Sequence, residues 1–136
     1  MNYETTKYLE GMHCTLSVER PVPGVVLVKF AGTDVGEFGD APFRELENDV
    51  ATGLPFELFI DAHRGRAASI HVSNDWARWL KARRKSLTCV HMLTATKFVQ
   101  LSADLVRRFA DLGDAMRIYT DRAAFAESLS AACESA

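Results

Sequence analysis

An α/β sandwich, with a mixed sheet of about five strands and helices mainly on one face, is the fold class this sequence predicts. Three observations point there. The chain has 136 residues, 48% of them hydrophobic and 25% charged, which supplies one core and one domain over 1–136, with the folded part spanning about 14–132. Short runs rich in β-branched and aromatic residues, VVLVKF, FELFI and LTCVHML, punctuate it. Between them lie segments whose apolar residues recur at helical spacing. Strands that alternate with helices after an opening hairpin demand a largely parallel sheet with right-handed crossovers.

Residues 14–19 (CTLSVE) alternate apolar and polar side chains and predict a half-exposed first strand. Two prolines and a glycine in residues 20–24 predict a turn. Residues 25–30 then predict a buried central strand, hairpinned onto the first and ended by AGTD. Asp40 as N-cap and Pro42 in the first turn predict a helix to Val50, with Phe43, Leu46 and Val50 on one face. Gly53 and Pro55 stop it. Residues 56–60 predict the next strand, ending at Asp61, and residues 62–72 a loop. Ser73 is expected to cap a helix running to Lys85, with Trp76, Trp79 and Leu80 as its apolar stripe and cations gathered at its C-terminal end.

Residues 87–93 predict a further strand. Ser102 is expected to cap a helix over 103–112, with Leu105, Phe109 and Leu112 on one face and Gly113 past its end. Residues 116–119 predict a short last strand. Asp121 then caps a final helix that buries Phe125, Leu129 and Ala132. The predicted order is β-β-α-β-α-β-α-β-α.

Charge is unevenly spread under a net of −2. Residues 1–61 carry 4 basic and 11 acidic side chains, whereas residues 62–103 carry 8 basic and one acidic. Such polarity builds a positive surface for an acidic partner or a phosphate, or else a solvated helix face. A sequence pI near 6.1, without aromatic–basic interleaving, argues against nucleic acid. No apolar run reaches the roughly 20 residues of a membrane span, and the opening MNYETTKYLE has no signal-peptide core. Three cysteines, widely spaced and without CxxC, read as reduced thiols, so the expected location is cytoplasmic.

The order of elements, the strand FELFID followed by a loop and helix, and the ending MRIYTDRAAFAESL resemble the STAS family. That family includes anti-sigma-factor antagonists and the cytoplasmic tails of sulfate transporters; the chain is also similar to the SpoIIAA-like and SEC14-like groups. The resemblance covers about residues 14–132. It implies a non-catalytic regulatory or protein-interaction module, such as a partner-switching component. Its SEC14-like side implies instead a carrier or sensor for a small molecule or lipid. Antagonists of this family carry a phosphorylated serine in an Asp-Ser-Ser-Gly turn at a helix start. The matching position falls near Ser69, with Ser73 the other candidate. Here Ala67-Ala68-Ser69-Ile70 has neither the preceding aspartate nor the following glycine.

Taken on the residues alone, Ser73 is first a helix cap, and Ser69 lies beside Arg64 and Arg66, which can pair a phosphate. Asp61 sits at the carboxyl end of a parallel strand, where open α/β sheets place their sites, with His63 and Arg64 close in sequence. DAHRGR could hold a phosphate or carboxylate, or be an Asp turn closed by Gly65. Arg83, Arg84 and Lys85 form the basic end of the second helix and are candidates for contact with a protein partner. Trp76 and Trp79 read as core, with an exposed binding edge as the other option. The four histidines show no metal-ligand spacing, glycine-rich phosphate loops and Ser-His-Asp orders are missing, and neither a cofactor nor catalysis is expected. The partners expected are a protein or a second copy of this chain, with a small ligand as the further option.

Overall fold

The computed structural model describes residues 4–135. Its elements are β1 (Glu4–Glu10), β2 (Cys14–Val22), β3 (Val25–Asp34), α1 (Ala41–Val50), β4 (Phe56–Ala68) and α2 (Ile70–Ala82), then β5 (Leu87–Thr94), α3 (Lys97–Phe109), β6 (Met116–Tyr119) and α4 (Arg122–Ser135). Single 3-10 turns at Arg84–Ser86 and Gly113–Ala115 lead into β5 and β6. One six-stranded sheet holds the strands in chain order. β1, β2 and β3 pair antiparallel, and β3 to β6 pair parallel.

This topology decides where the helices go. When each new parallel strand is added on the same side, right-handed crossovers all pass over one face of the sheet. α1, α2 and α3 are those crossovers. Leu46, Trp76, Leu80, Ala103 and Val106 from them close a core over Leu16, Val18, Val26, Val28, Leu58, Ile60 and Val90. α4 is followed by no strand, so the rule does not bind it, and it packs on the opposite face against β4, β5 and β6. There Phe125 and Ala132 join Val25, Leu27, Phe59 and Leu93 in a second, smaller core.

Polar clamps hold α1. Arg20 of β2 makes a bidentate pair with Asp49 (3.0 and 2.9 Å) and an ion pair with Glu45 at 3.0 Å. From the other side Trp79 donates its indole N–H to Glu47 at 2.9 Å, and Arg83 pairs with the same carboxylate.

Several sequence-based boundaries shift. The sheet has six strands rather than about five, because β1 (ETTKYLE) is a polar edge strand with no apolar signal of its own. β2 runs through Pro21 to Val22 with an irregular register after Glu19, which is where a strand tolerates proline, so the turn shrinks to Pro23-Gly24 with Gly24 at φ 87°. β3 continues through AGTD. Gly32 permits this, since its φ is 93° and a Cβ there would stand 2.3 Å from the His13 carbonyl oxygen. Asp40 makes no side-chain cap and pairs instead with Arg44 at 3.2 Å.

The largest change concerns the segment 62–72, expected as a loop. β4 extends to Ala68, pairing with β3 through two register shifts that insert extra residues near Arg64 and before Ala67. Such bulges bend the strand and re-aim its side chains while the ladder continues. In consequence α2 starts earlier: Ser69, not Ser73, is its N-cap, accepting from the Val72 amide at 3.2 Å. α3 likewise starts at Thr96, whose hydroxyl accepts from Val99 N at 3.1 Å, whereas Ser102 lies inside the helix bonded to the Phe98 carbonyl. It ends at Phe109 in a Schellman motif closed by Asp111 at φ 55°, with Leu112 N bonded to Arg107 O at 3.1 Å.

Candidate functional site

α3 carries two apolar arcs. Val99, Ala103, Val106 and Ala110 face the core. Phe98, Leu101, Leu105 and Phe109, spaced for one helical face, point to solvent at 71%, 63%, 46% and 61% exposure. Of the three residues read as one apolar face, Leu112 is buried, whereas Leu105 and Phe109 lie outside. The buried arc has the smaller residues because two alanines let α3 approach the sheet and α2 closely. α2 packs along α3, and both helices start from the carboxyl ends of parallel strands, so Ile70 (80% exposed) shares an end with Phe98. Lys81, Arg84, Lys85, Lys97 and Arg108 are all exposed on these two helices and the turn after α2.

The basic triplet is divided in its roles. Arg83 is engaged by Glu47, holding α2 to α1. Arg84 reaches Asp111 at 3.5 Å, which links the α2 exit to the α3 exit. Lys85 is exposed and makes no ion pair among the described residues. The two tryptophans pack: Trp76 is 8% exposed with its edge against Phe30 and Phe43, and Trp79 stacks on Phe43.

The two serines also separate. Ser69 is tied by both its hydroxyl and its amide, which donates to the Asp34 carbonyl at 2.9 Å. Ser73, one turn on, lines a partly open cavity of about 70 Å³ between α2, α3 and the sheet, with Asp34 and otherwise mostly apolar walls. Asp34 is a residue the sequence did not single out. It is 7% exposed, accepts from Gly36 N at 3.0 Å, and burial pushes its carboxyl pKa up. The neighbouring Cys14 thiol is pushed up to about 11 by burial and by the Asp34 and Glu37 carboxylates, so it is no nucleophile.

On the opposite face α4 covers the start of β3, through Val25 and Leu27, and leaves Tyr8 of β1 and Lys29 farther along β3 exposed. Register places Tyr8, Ser17, Lys29 and Asp61 in one row across four strands. With Thr15, His63, Arg64 and Arg122 they line an open cavity of about 240 Å³. Asp61, His63 and Arg64 thus come together on the β4 bulge; Asp61 accepts from the His63 amide at 3.0 Å, as an Asp turn does, but inside a strand. Arg66 is exposed and does not line this cavity.

Under α4 lies a polar relay that sequence reasoning missed. His91, 3% exposed, places Nε2 2.5 Å from the Glu57 carboxylate and Nδ1 2.7 Å from the Tyr119 hydroxyl, which is 3.0 Å from Ser128 Oγ. Phe59 stacks on the imidazole at 4.1 Å. Burial outweighs Glu57 and lowers the His91 pKa. Only strand parity carries the signal, since residues 57, 89 and 91 share one face of neighbouring strands.

No family model and no curated protein matches the chain in sequence. Solved structures do match in shape. A protein of the DUF3478 family from Shewanella loihica PV-4, uncharacterized and with a SpoIIAA-like fold, superposes with a TM-score of 0.63 at 16% identity over 89% of this chain and 98% of that one. The fold is SpoIIAA-like. An anti-sigma factor antagonist from Mycobacterium paratuberculosis aligns with a TM-score of 0.56 at 17% identity, covering 93% of this chain and 95% of that one. The STAS-like architecture suggested by element order is therefore the architecture present, with a sixth strand at its edge. Among the described residues no helix is long and apolar enough to cross a membrane.

Proposed function

We propose that this chain is a non-catalytic, cytoplasmic STAS-like regulatory module that works by docking a protein, and that the docking surface is the ridge of α3 beside α2. The observation that supports this reading is the row Phe98, Leu101, Leu105 and Phe109, four large apolar side chains left in water along one helix. Contiguous exposure of that kind marks an interaction site. The occupant is an acidic amphipathic segment. Apolar residues along a helix match a partner helix laid alongside, and the exposed cations of α2, α3 and the turn after α2 call for carboxylates at the rim. A second copy of this chain fits less well, since the same cations would face one another. Ser69 serves here as the cap of α2. Arg84 and Lys85 belong to the rim, and Arg83 supports it from below through Glu47.

The carrier reading is less well supported on this face. Its cavity of about 70 Å³ is far below the roughly 300 Å³ at which small-molecule pockets begin.

The test uses a synthetic amphipathic helix with glutamates on its polar face, titrated into the full chain and read by fluorescence anisotropy. Leu105→Glu combined with Phe109→Glu should weaken binding by about tenfold or more, and raising the salt should weaken it for the wild type. Circular dichroism and melting should stay unchanged, because both positions are already solvated. Equal binding by the double variant overturns the proposal. So does dimerisation through this ridge in sedimentation, or adsorption of the wild type to anionic phosphatidylglycerol vesicles in place of the peptide.

A further inference from the structure

We propose that Glu57, Cys89 and His91 form a binding site for a zinc-type divalent cation on the α4 side of the sheet. This site is independent of the docking ridge, which lies across the sheet from it. The three residues come from neighbouring parallel strands: Glu57 stands opposite Cys89, and Phe59 opposite His91, so their side chains project from one face. One carboxylate oxygen, the thiol sulfur and an imidazole nitrogen lie within 4.8 Å of one another. Tetrahedral zinc, with bonds of about 2.0–2.3 Å, sets its donors roughly 3–4 Å apart. Nε2 and the Glu57 oxygen, now hydrogen-bonded at 2.5 Å, part by about 1 Å to admit the ion, a rotation of the half-buried carboxylate. The mixed N, S and O set selects zinc and its neighbours in the transition series over magnesium or calcium, which take oxygen.

A second observation concerns the far side of the ring. Metal-ligating histidines are held through their other nitrogen, and here Nδ1 meets the Tyr119 hydroxyl at 2.7 Å, itself 3.0 Å from Ser128 on α4. Phe59 fixes the plane of the imidazole, with rings 2° from parallel. Hydroxyls donate and accept equally, so this relay serves either tautomer. Without the ion, Nε2–H donates to Glu57 and Tyr119 donates to Nδ1. With it, the Nε2 lone pair goes to the metal, Nδ1–H donates to Tyr119, and Tyr119 donates onward to Ser128. The Cys89 thiol gives one proton to solvent, and the thiolate and carboxylate together balance the charge of the ion. A water fills the fourth position.

Cobalt(II) titrated into the full chain tests this directly. The expected result is a near-ultraviolet thiolate-to-cobalt band with tetrahedral d–d absorption, both displaced by zinc. Cys89→Ser and Glu57→Gln should abolish the band or weaken cobalt binding by at least about tenfold, and Tyr119→Phe, which leaves all three donors in place, should weaken it by about 10- to 100-fold. Cys14→Ala, across the sheet, should leave it unchanged. A wild type that shows no band at any cobalt ratio overturns the proposal, as does a band that survives Cys89→Ser or is lost equally in Cys14→Ala.

Discussion

The two faces of one sheet solve burial in opposite ways. Over the face covered by α1, α2 and α3, the strands contribute Leu16, Val18, Val28, Leu58, Ile60 and Val90, and the buried layer is almost wholly apolar. Under α4 the apolar cluster is small, and a chain of four polar side chains, Glu57, His91, Tyr119 and Ser128, runs through it. An apolar layer needs only volume and shape, whereas a buried polar chain demands that every member keep its partner. The three-helix face should therefore fail by cavity formation, and the α4 face by loss of a partner or a change of protonation.

The largest effect belongs to the apolar face. Trp76 is 8% exposed and touches Phe30, Phe43 and Trp79 edge-on or obliquely, so Trp76→Ala opens a space that three neighbouring elements cannot all close. The expected cost is about 3–5 kcal/mol, read by denaturant unfolding. A loss below about 1 kcal/mol would mean that the core collapses freely and would erase the contrast between the faces.

A smaller effect separates two serines one helical turn apart. Ser69→Ala removes the hydroxyl that accepts from Val72 N, and should cost about 1 kcal/mol. Ser73→Ala removes a hydroxyl that makes no such bond and only lines the mostly apolar cavity, and should change stability by less than about 0.5 kcal/mol. Equal losses in thermal melts would show that the cap is not what starts α2.

The serines also show why some of this fold was legible and some was not. α1 and β6 fall on their sequence-based boundaries, because each is bracketed by strong local signals: Pro42 and Gly53 for α1, and the break before Asp121 for β6. α2 is bracketed by two serines of equal local merit, and only the bulged extension of β4, a matter of pairing with β3, decides for the first. The same holds for α3. Its sequence offers two apolar arcs, and the bulkier one looks like core. The choice for Val99, Ala103, Val106 and Ala110 comes from how closely α3 must approach its neighbours, which no local window contains. The candidates Asp61, His63 and Arg64 were visible as a polar break, but their company with Lys29 and Arg122 depends on register across the sheet. His91 was unreadable for a related reason. A histidine inside LTCVHML points to either face until the strand is paired.

The smallest effect is spread over pH, and it sets the two faces against each other through one ionisable group apiece. His91 has its pKa lowered by burial, so the unfolded chain takes up a proton that the native one resists. Its stabilisation is complete above the unfolded value of about 6.5 and is lost as pH falls through the lower native value. Asp34, on the three-helix face, has its carboxyl raised, again chiefly by burial. There the native state binds the proton first, so acidification toward the raised value adds stability, in a lower window that begins just above the carboxylate range. Melting temperature, measured with a chelator present to keep His91 free of metal, should therefore fall between neutral pH and about pH 5. That slope should vanish in His91→Gln and persist in Asp34→Asn. Below it, the wild type should lose stability less steeply than Asp34→Asn. A slope near pH 6 that survives His91→Gln would move the acid sensitivity off the α4 face and break the contrast, since burial pushes the Cys89 and Cys133 thiols on that face up and away from this window.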